Sequence, residues 1–73
     1  MNISKVKSYN RHHYLDISGT KNELHNCHTW CIEQFGSSTF DTWFFTNAHN
    51  PQYKYRVFFS NIEYSGWFTL RWT

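Results

Sequence analysis

Two cysteines and two histidines within seven residues, His25-x-Cys27-His28-x2-Cys31, form the one cluster in this 73-residue sequence whose residue types could do chemistry. Thiolate and imidazole are ligands that zinc favours, held tetrahedrally about 2.0–2.3 Å from the ion. On a helix, Cys27 and Cys31 would share a face with His28 beside them, and His12 or His13 on a neighbouring strand would supply the fourth ligand. The spacing argues the other way. Structural zinc sites usually present cysteines as CxxC knuckles in turns, whereas here three residues separate the thiols inside a helical stretch. Cys27 and Cys31 then read as small core-facing hydrophobes, awkwardly placed for a disulfide and therefore free. Nucleophilic catalysis is disfavoured on related grounds, because a reactive thiol needs exposure, a lowered pKa and a positioned base. The five acidic residues are scattered, no glycine-rich phosphate loop is present, and so short a domain has little room for a cleft. The expectation is a non-enzyme with no cofactor.

The element that must hold this cluster is a helix. Thr20-Lys21-Asn22-Glu23 is a capping box, in which the threonine hydroxyl accepts from the third backbone N–H and the glutamate reaches back to the cap. Leu24, Cys27, His28, Cys31, Ile32 and Phe35 fall on one stripe at helical spacing, and Gly36 follows as the expected C-cap. These signals predict a helix over 21–35. Ahead of it, His13, Leu15 and Ile17 alternate with Tyr14 and Asp16 as a short strand does. After it, residues 39–46 and 53–59 are aromatic and β-branched and flank Asn47-Ala-His-Asn-Pro-Gln52, which is turn chemistry; this predicts a hairpin. In the tail, Phe68, Leu70 and Trp72 alternate as a strand would. Against that, Ser60-Asn61-Ile62-Glu63 is a second capping box, and Tyr64, Trp67 and Phe68 share a helical face; the helix is preferred. The expected fold is α+β: one small domain over residues 12–73, ordered β-α-β-β-α, with a three-stranded sheet and both helices on one face. Residues 1–11 are expected to be an arm or an extension of the first strand.

Sixteen residues are Phe, Tyr or Trp, more rings than so small a domain can easily hide. Exposed clustered rings usually mark a binding surface. If the helices cover Leu15, Ile17, Tyr55, Val57 and Phe59, strand alternation sends Tyr14, Lys54, Arg56 and Phe58 to the other face. The middle strand adds to it either Phe44 or the pair Trp43 and Phe45. Rings interleaved with Lys54 and Arg56 suit a protein partner, because aromatic residues and Arg are enriched at interfaces. The same residues would suit single-stranded nucleic acid, with bases on rings and cations along phosphates. The bland alternative is that a second helix, the arm or a second copy covers the face. Trp30 projects from the main helical stripe, either packing over the helix edge or anchoring a partner. A formal charge of +2 is too small to argue for nucleic acid by itself. No apolar run approaches the roughly 18 residues of a membrane span, and the polar start lacks a signal peptide's apolar stretch, so the expected location is the cytoplasm.

The segment Trp30-Cys31-x3-Phe35-Gly36, the aromatic hairpin and the closing Phe68-x-Leu70-Arg71-Trp72 resemble a loose group of short, uncharacterised tailed-phage proteins. The likeness covers roughly residues 24–72. The segment before the closing element departs from it, with Glu63-Tyr64 where the group usually carries an acidic-Ala pair. The resemblance implies a closing helix and an accessory protein made in an infected bacterium; it implies no mechanism. Together with the residue reading, the expectation is a non-enzymatic phage accessory protein that modulates a host or phage protein through an aromatic surface. The candidate binding residues are Tyr14, Trp30, Trp43, Lys54, Arg56 and Phe58. The alternatives are a single-stranded nucleic acid binder and a small zinc-stabilised domain holding its ion on Cys27, Cys31, His28 and His13.

Overall fold

The computed structural model describes residues 1–73. Seven elements follow one another: β1 (Asn2–Ile3), β2 (Lys7–Tyr9), β3 (His12–Ser18), α1 (Lys21–Phe35), β4 (Trp43–Asn47), β5 (Tyr55–Phe59) and α2 (Ile62–Trp72). The class is α+β with two helices and an antiparallel sheet. The sheet has five strands, in the order β1-β3-β5-β4 with β2 also on β3, rather than the three expected.

The extra strands come from residues 1–11. Asn2 and Ile3 pair with Ser18 and Ile17, and Lys7, Ser8 and Tyr9 pair with Tyr14, His13 and His12. Between them, Ser4, Lys5 and Val6 face only Leu15 and Asp16, so the edge carries a bulge. Ser4 bridges it: its N–H donates to the Asp16 carbonyl at 2.9 Å, and its Oγ accepts from the Asp16 N–H at 2.8 Å. β2 turns into β3 through two residues with positive φ, Asn10 (48°) and Arg11 (66°). That is the backbone of a type I′ hairpin turn, whose usual sequence carries glycine at the second position.

α1 starts as its sequence dictates. Thr20 Oγ1 accepts from the Glu23 N–H at 3.1 Å, and Glu23 Oε1 accepts from the Thr20 N–H at 2.8 Å. The Met1 ammonium adds a 3.1 Å contact to Glu23 Oε2. The Thr20 amide and that ammonium together hold the Glu23 carboxyl below its usual range. Gly36 ends the helix at φ 83°, and its N–H donates to Ile32. α2 is helical, and its cap is Asn61 rather than Ser60: Asn61 Oδ1 accepts from the Glu63 N–H at 2.9 Å. Ser60 instead donates to the Asp41 carbonyl at 2.6 Å, tying the start of α2 to the turn before β4. That turn, residues 38–42, replaces the first part of the expected strand 39–46; its Ser38 hydroxyl donates to the Trp43 carbonyl at 3.0 Å.

A single core lies between one sheet face and the helices. Leu15 and Ile17 from β3, Trp43 from β4, and Val57 and Phe59 from β5 meet Cys27 and Cys31 of α1 and Phe68 of α2, all fully buried. Ile32, expected on the inner stripe of α1, is 45% exposed. Trp30 takes its place, edge-on to Phe35, Phe68 and Trp72 at 5.5–6.2 Å between the helices.

Candidate functional site

Strand pairing decides what the opposite sheet face presents. Tyr14, Phe58 and Phe44 stand in register across β3, β5 and β4, and Asp16, Arg56 and Thr46 form the next row. Side chains alternate along each strand, so both rows project away from the helices. Phe44 and Phe58 stack at 4.8 Å with 17° between planes, and Tyr14 lies 5.4 Å from Phe58. His12 meets Phe44 and Phe58 edge-on at 5.8 and 6.0 Å. Phe40, from the turn before β4, completes the run 4.9 Å from Phe44 and is 78% exposed. The ring positions are fixed from below: His12 Nε2 bonds the Phe40 carbonyl at 3.0 Å, which ties the turn to β3.

Arg56 is not free on this face. Its Nε and Nη2 donate to the two carboxylate oxygens of Asp16 at 2.8 and 3.1 Å, and its guanidinium lies 4.3 Å over the Tyr14 ring. The hydrogen bonds to Asp16, more than any other contact, raise the arginine's pKa further. Such bidentate pairing neutralises both groups and leaves no spare cation for a phosphate. Lys54 lies elsewhere. The strand begins at Tyr55, and Lys54 lines a groove on the helical side of the sheet with Lys21, His25 and Tyr55. That groove, about 780 Å³ in volume, is larger than a domain of this length was expected to carry.

Two other sequence candidates belong to the interior. Trp43 is fully buried, and its Nε1 donates to the Gly36 carbonyl at 2.9 Å, so it packs in the core instead of facing a partner. Trp30 is the inter-helix wedge described above. Of the six candidates, Tyr14, Arg56 and Phe58 are brought together, and Trp30, Trp43 and Lys54 are not. Phe40 and His12 were missed as members of the face. Phe40 was assigned to a strand; the Ser37-Ser38-Thr39 run before it, rich in turn residues, is the signal that could have placed it in a turn.

The proposed zinc ligands are dispersed. Cys27 and Cys31 are free, buried thiols, and the hydrogen bond between them, then burial, pushes the Cys31 thiol far up, so it stays protonated. His28 stands edge-on to Trp43 and Phe45 at 5.4 and 5.0 Å, and His13 Nδ1 is bonded to Ser8 Oγ at 2.9 Å. Nowhere do three or more His, Cys, Asp or Glu side chains converge as a metal site requires. No helix is long and apolar enough to cross a membrane. No family model matches the chain, and neither a curated protein nor a solved structure matches it.

Proposed function

We propose that this chain is a non-enzymatic binding protein that docks a protein partner on the open face of its sheet. The observation that carries the reading is the run Tyr14–Phe58–Phe44–Phe40, ordered by ring–ring contacts on a face that no helix covers. Pre-ordered rings lose little side-chain entropy on binding, and aromatic side chains are enriched at protein interfaces. The partner's matching patch is aliphatic or aromatic with a polar rim, because the one strong charge pair here, Asp16–Arg56, is internally neutralised. The same neutralisation, with Lys54 on the other side of the sheet, disfavours nucleic acid along this face. The resemblance to short tailed-phage proteins supplies the setting: an accessory protein made in an infected bacterium, acting in its cytoplasm on a host or phage protein.

The test begins with a tagged pull-down from infected bacterial lysate, followed by affinity measurement on the purified partner. Phe40→Ala should weaken that affinity by about tenfold or more while circular dichroism stays unchanged. Raising salt from about 50 to 500 mM should alter the affinity only a few-fold, since apolar contacts are not screened. A Phe40→Ala variant of undiminished affinity would sink the reading. So would sedimentation showing that the face is already occupied by a second copy of the chain.

A further inference from the structure

The groove on the helical side is independent of the ring-bearing face, and its chemistry is different. Its walls come from three parts of the chain: Lys21, His25 and His28 from α1, Phe45 from β4, and Lys54 with Tyr55 at the start of β5. Four of these six side chains can carry positive charge, and none of the residues lining the groove is acidic. The two ion pairs in the molecule are Met1–Glu23 and Asp16–Arg56, so Lys21 and Lys54 have no carboxylate partner. In a chain of net charge +2, unpaired cations gathered at one concavity make a local field for an anion.

The other wall carries aromatic rings set at angles to one another. Tyr55 and Phe45 lie 6.1 Å apart with 51° between their planes, and the His28 imidazole stands edge-on to Phe45 at 5.0 Å. All three are half-buried, so packing holds their positions while part of each residue remains in water. At the start of α1 the capping box already takes the Thr20 and Glu23 amides. The lysine side chains supply the full charges that an anion would meet. A volume of about 780 Å³ falls within the range of small-molecule sites.

We infer that this groove binds a nucleotide, its phosphate held between Lys21 and Lys54 and its base laid against Tyr55. Neither half of the site suffices alone: two solvated lysines hold a phosphate weakly, and rings stack any flat molecule. Their juxtaposition selects a ligand that is both anionic and planar. A free nucleotide and the 5′ end of a single strand offer the same chemistry.

The experiment titrates the full chain with adenosine 5′-monophosphate, adenosine, inorganic phosphate and a 5′-phosphorylated oligonucleotide, read by calorimetry and by NMR shifts of His25, His28 and Tyr55. The monophosphate or the phosphorylated oligonucleotide should bind at least about tenfold more tightly than adenosine or phosphate alone, and the tighter of the two identifies the source. Lys21→Glu/Lys54→Glu should reduce that affinity by about tenfold or more, whereas Lys5→Glu/Arg71→Glu, with the same change in net charge, should leave it within about twofold. Should the double variant fail to fold, Lys54→Ala alone, at an exposed position outside the strand, should still weaken binding by about threefold or more. Phosphate binding as well as the monophosphate would overturn the inference, as would equal losses in the two charge-reversed variants. So would the absence of shifts at the three groove residues.

Discussion

The two faces of the sheet carry the same kind of side chain and use it differently. On the helical face Trp43 and Phe59 are fully buried beside Leu15, Ile17 and Val57, closed over by α1 and α2. On the other face Tyr14, Phe44 and Phe58 are ordered against one another yet remain partly in water, and Phe40 is mostly exposed. Ring content therefore does not tell core from surface in this chain. What separates the faces is one polar pair. Asp16 and Arg56 stand directly opposite each other across β3 and β5, in the middle of the open face. Shifting β3 or β5 by one residue would turn Asp16 or Arg56 into the core without its partner, so the pair favours one register. The difference teaches that in this aromatic-rich sheet a cross-strand ion pair reinforces the sorting that alternation of Leu15, Ile17 and Val57 begins.

The largest effect should come from the covered face. Trp43→Ala removes a fully buried ring and leaves the Gly36 carbonyl without its donor. The expected cost is about 3–5 kcal/mol, close to the whole stability of a domain this size. The variant should show no cooperative thermal transition. Trp43→Phe, which keeps a ring but loses the hydrogen bond and some volume, should fold with a lowered midpoint. A cooperative melt near wild type for Trp43→Ala would mean that the core is not where the burial places it.

The sorting pair comes next. Asp16 is 5% exposed, so Arg56→Ala strands a carboxylate at a nearly dry position. Breaking a fully buried pair from one side costs about 3–5 kcal/mol, and the loss in chemical denaturation here should fall below that range because truncating Arg56 lets water reach Asp16 from the open face. Removing both partners, in Asp16→Ala/Arg56→Ala, should be milder than removing Arg56 alone, because no orphan charge remains. If the double variant is instead the worse of the two, the pair contributes more than the desolvation it offsets. Its part in setting the register would then be tested by whether the double variant still gives a single set of NMR peaks.

How much of this was legible from the residues depends on whether the signal was local. The capping box at Thr20 and Glu23, the glycine at 36 and the period-two run in β3 are each contained in a few adjacent residues, and each formed as written. The face of Tyr14 and Phe58 followed from alternation alone. Residues 2–9 did not read as strands because their pairing is interrupted by a bulge at Ser4–Val6 and turned by Asn10-Arg11, where no glycine announces the hairpin. Lys54 and Arg56 were given the same face by parity, but parity holds only inside a strand, and Lys54 lies one residue before it. Trp43 and Phe44 could not be told apart because rings occupy both phases of β4; the choice was made by packing against α1, which is a long-range fact. The Asp16–Arg56 bond spans 40 residues of sequence and left no local trace.

The smallest effect should come from the outermost ring, and it is the sharpest test of the contrast between faces. Phe40 is 78% exposed, sits in the turn before β4 and touches the sheet through Phe44 at 4.9 Å. An edge-to-face pair is worth about 0.5–1.5 kcal/mol beyond its buried area, and the solvent around this one places it at the lower end. Its backbone carbonyl, which bonds His12, survives truncation of the side chain. Phe40→Ala should therefore lower stability by no more than about 0.5 kcal/mol, the range of ordinary surface substitutions, in a urea titration with unchanged slope. A loss above about 1.5 kcal/mol would place Phe40 in a second core with Phe44 and Phe58. The open face would then be closing on itself, and its rings would be structural in the same sense as those beneath the helices.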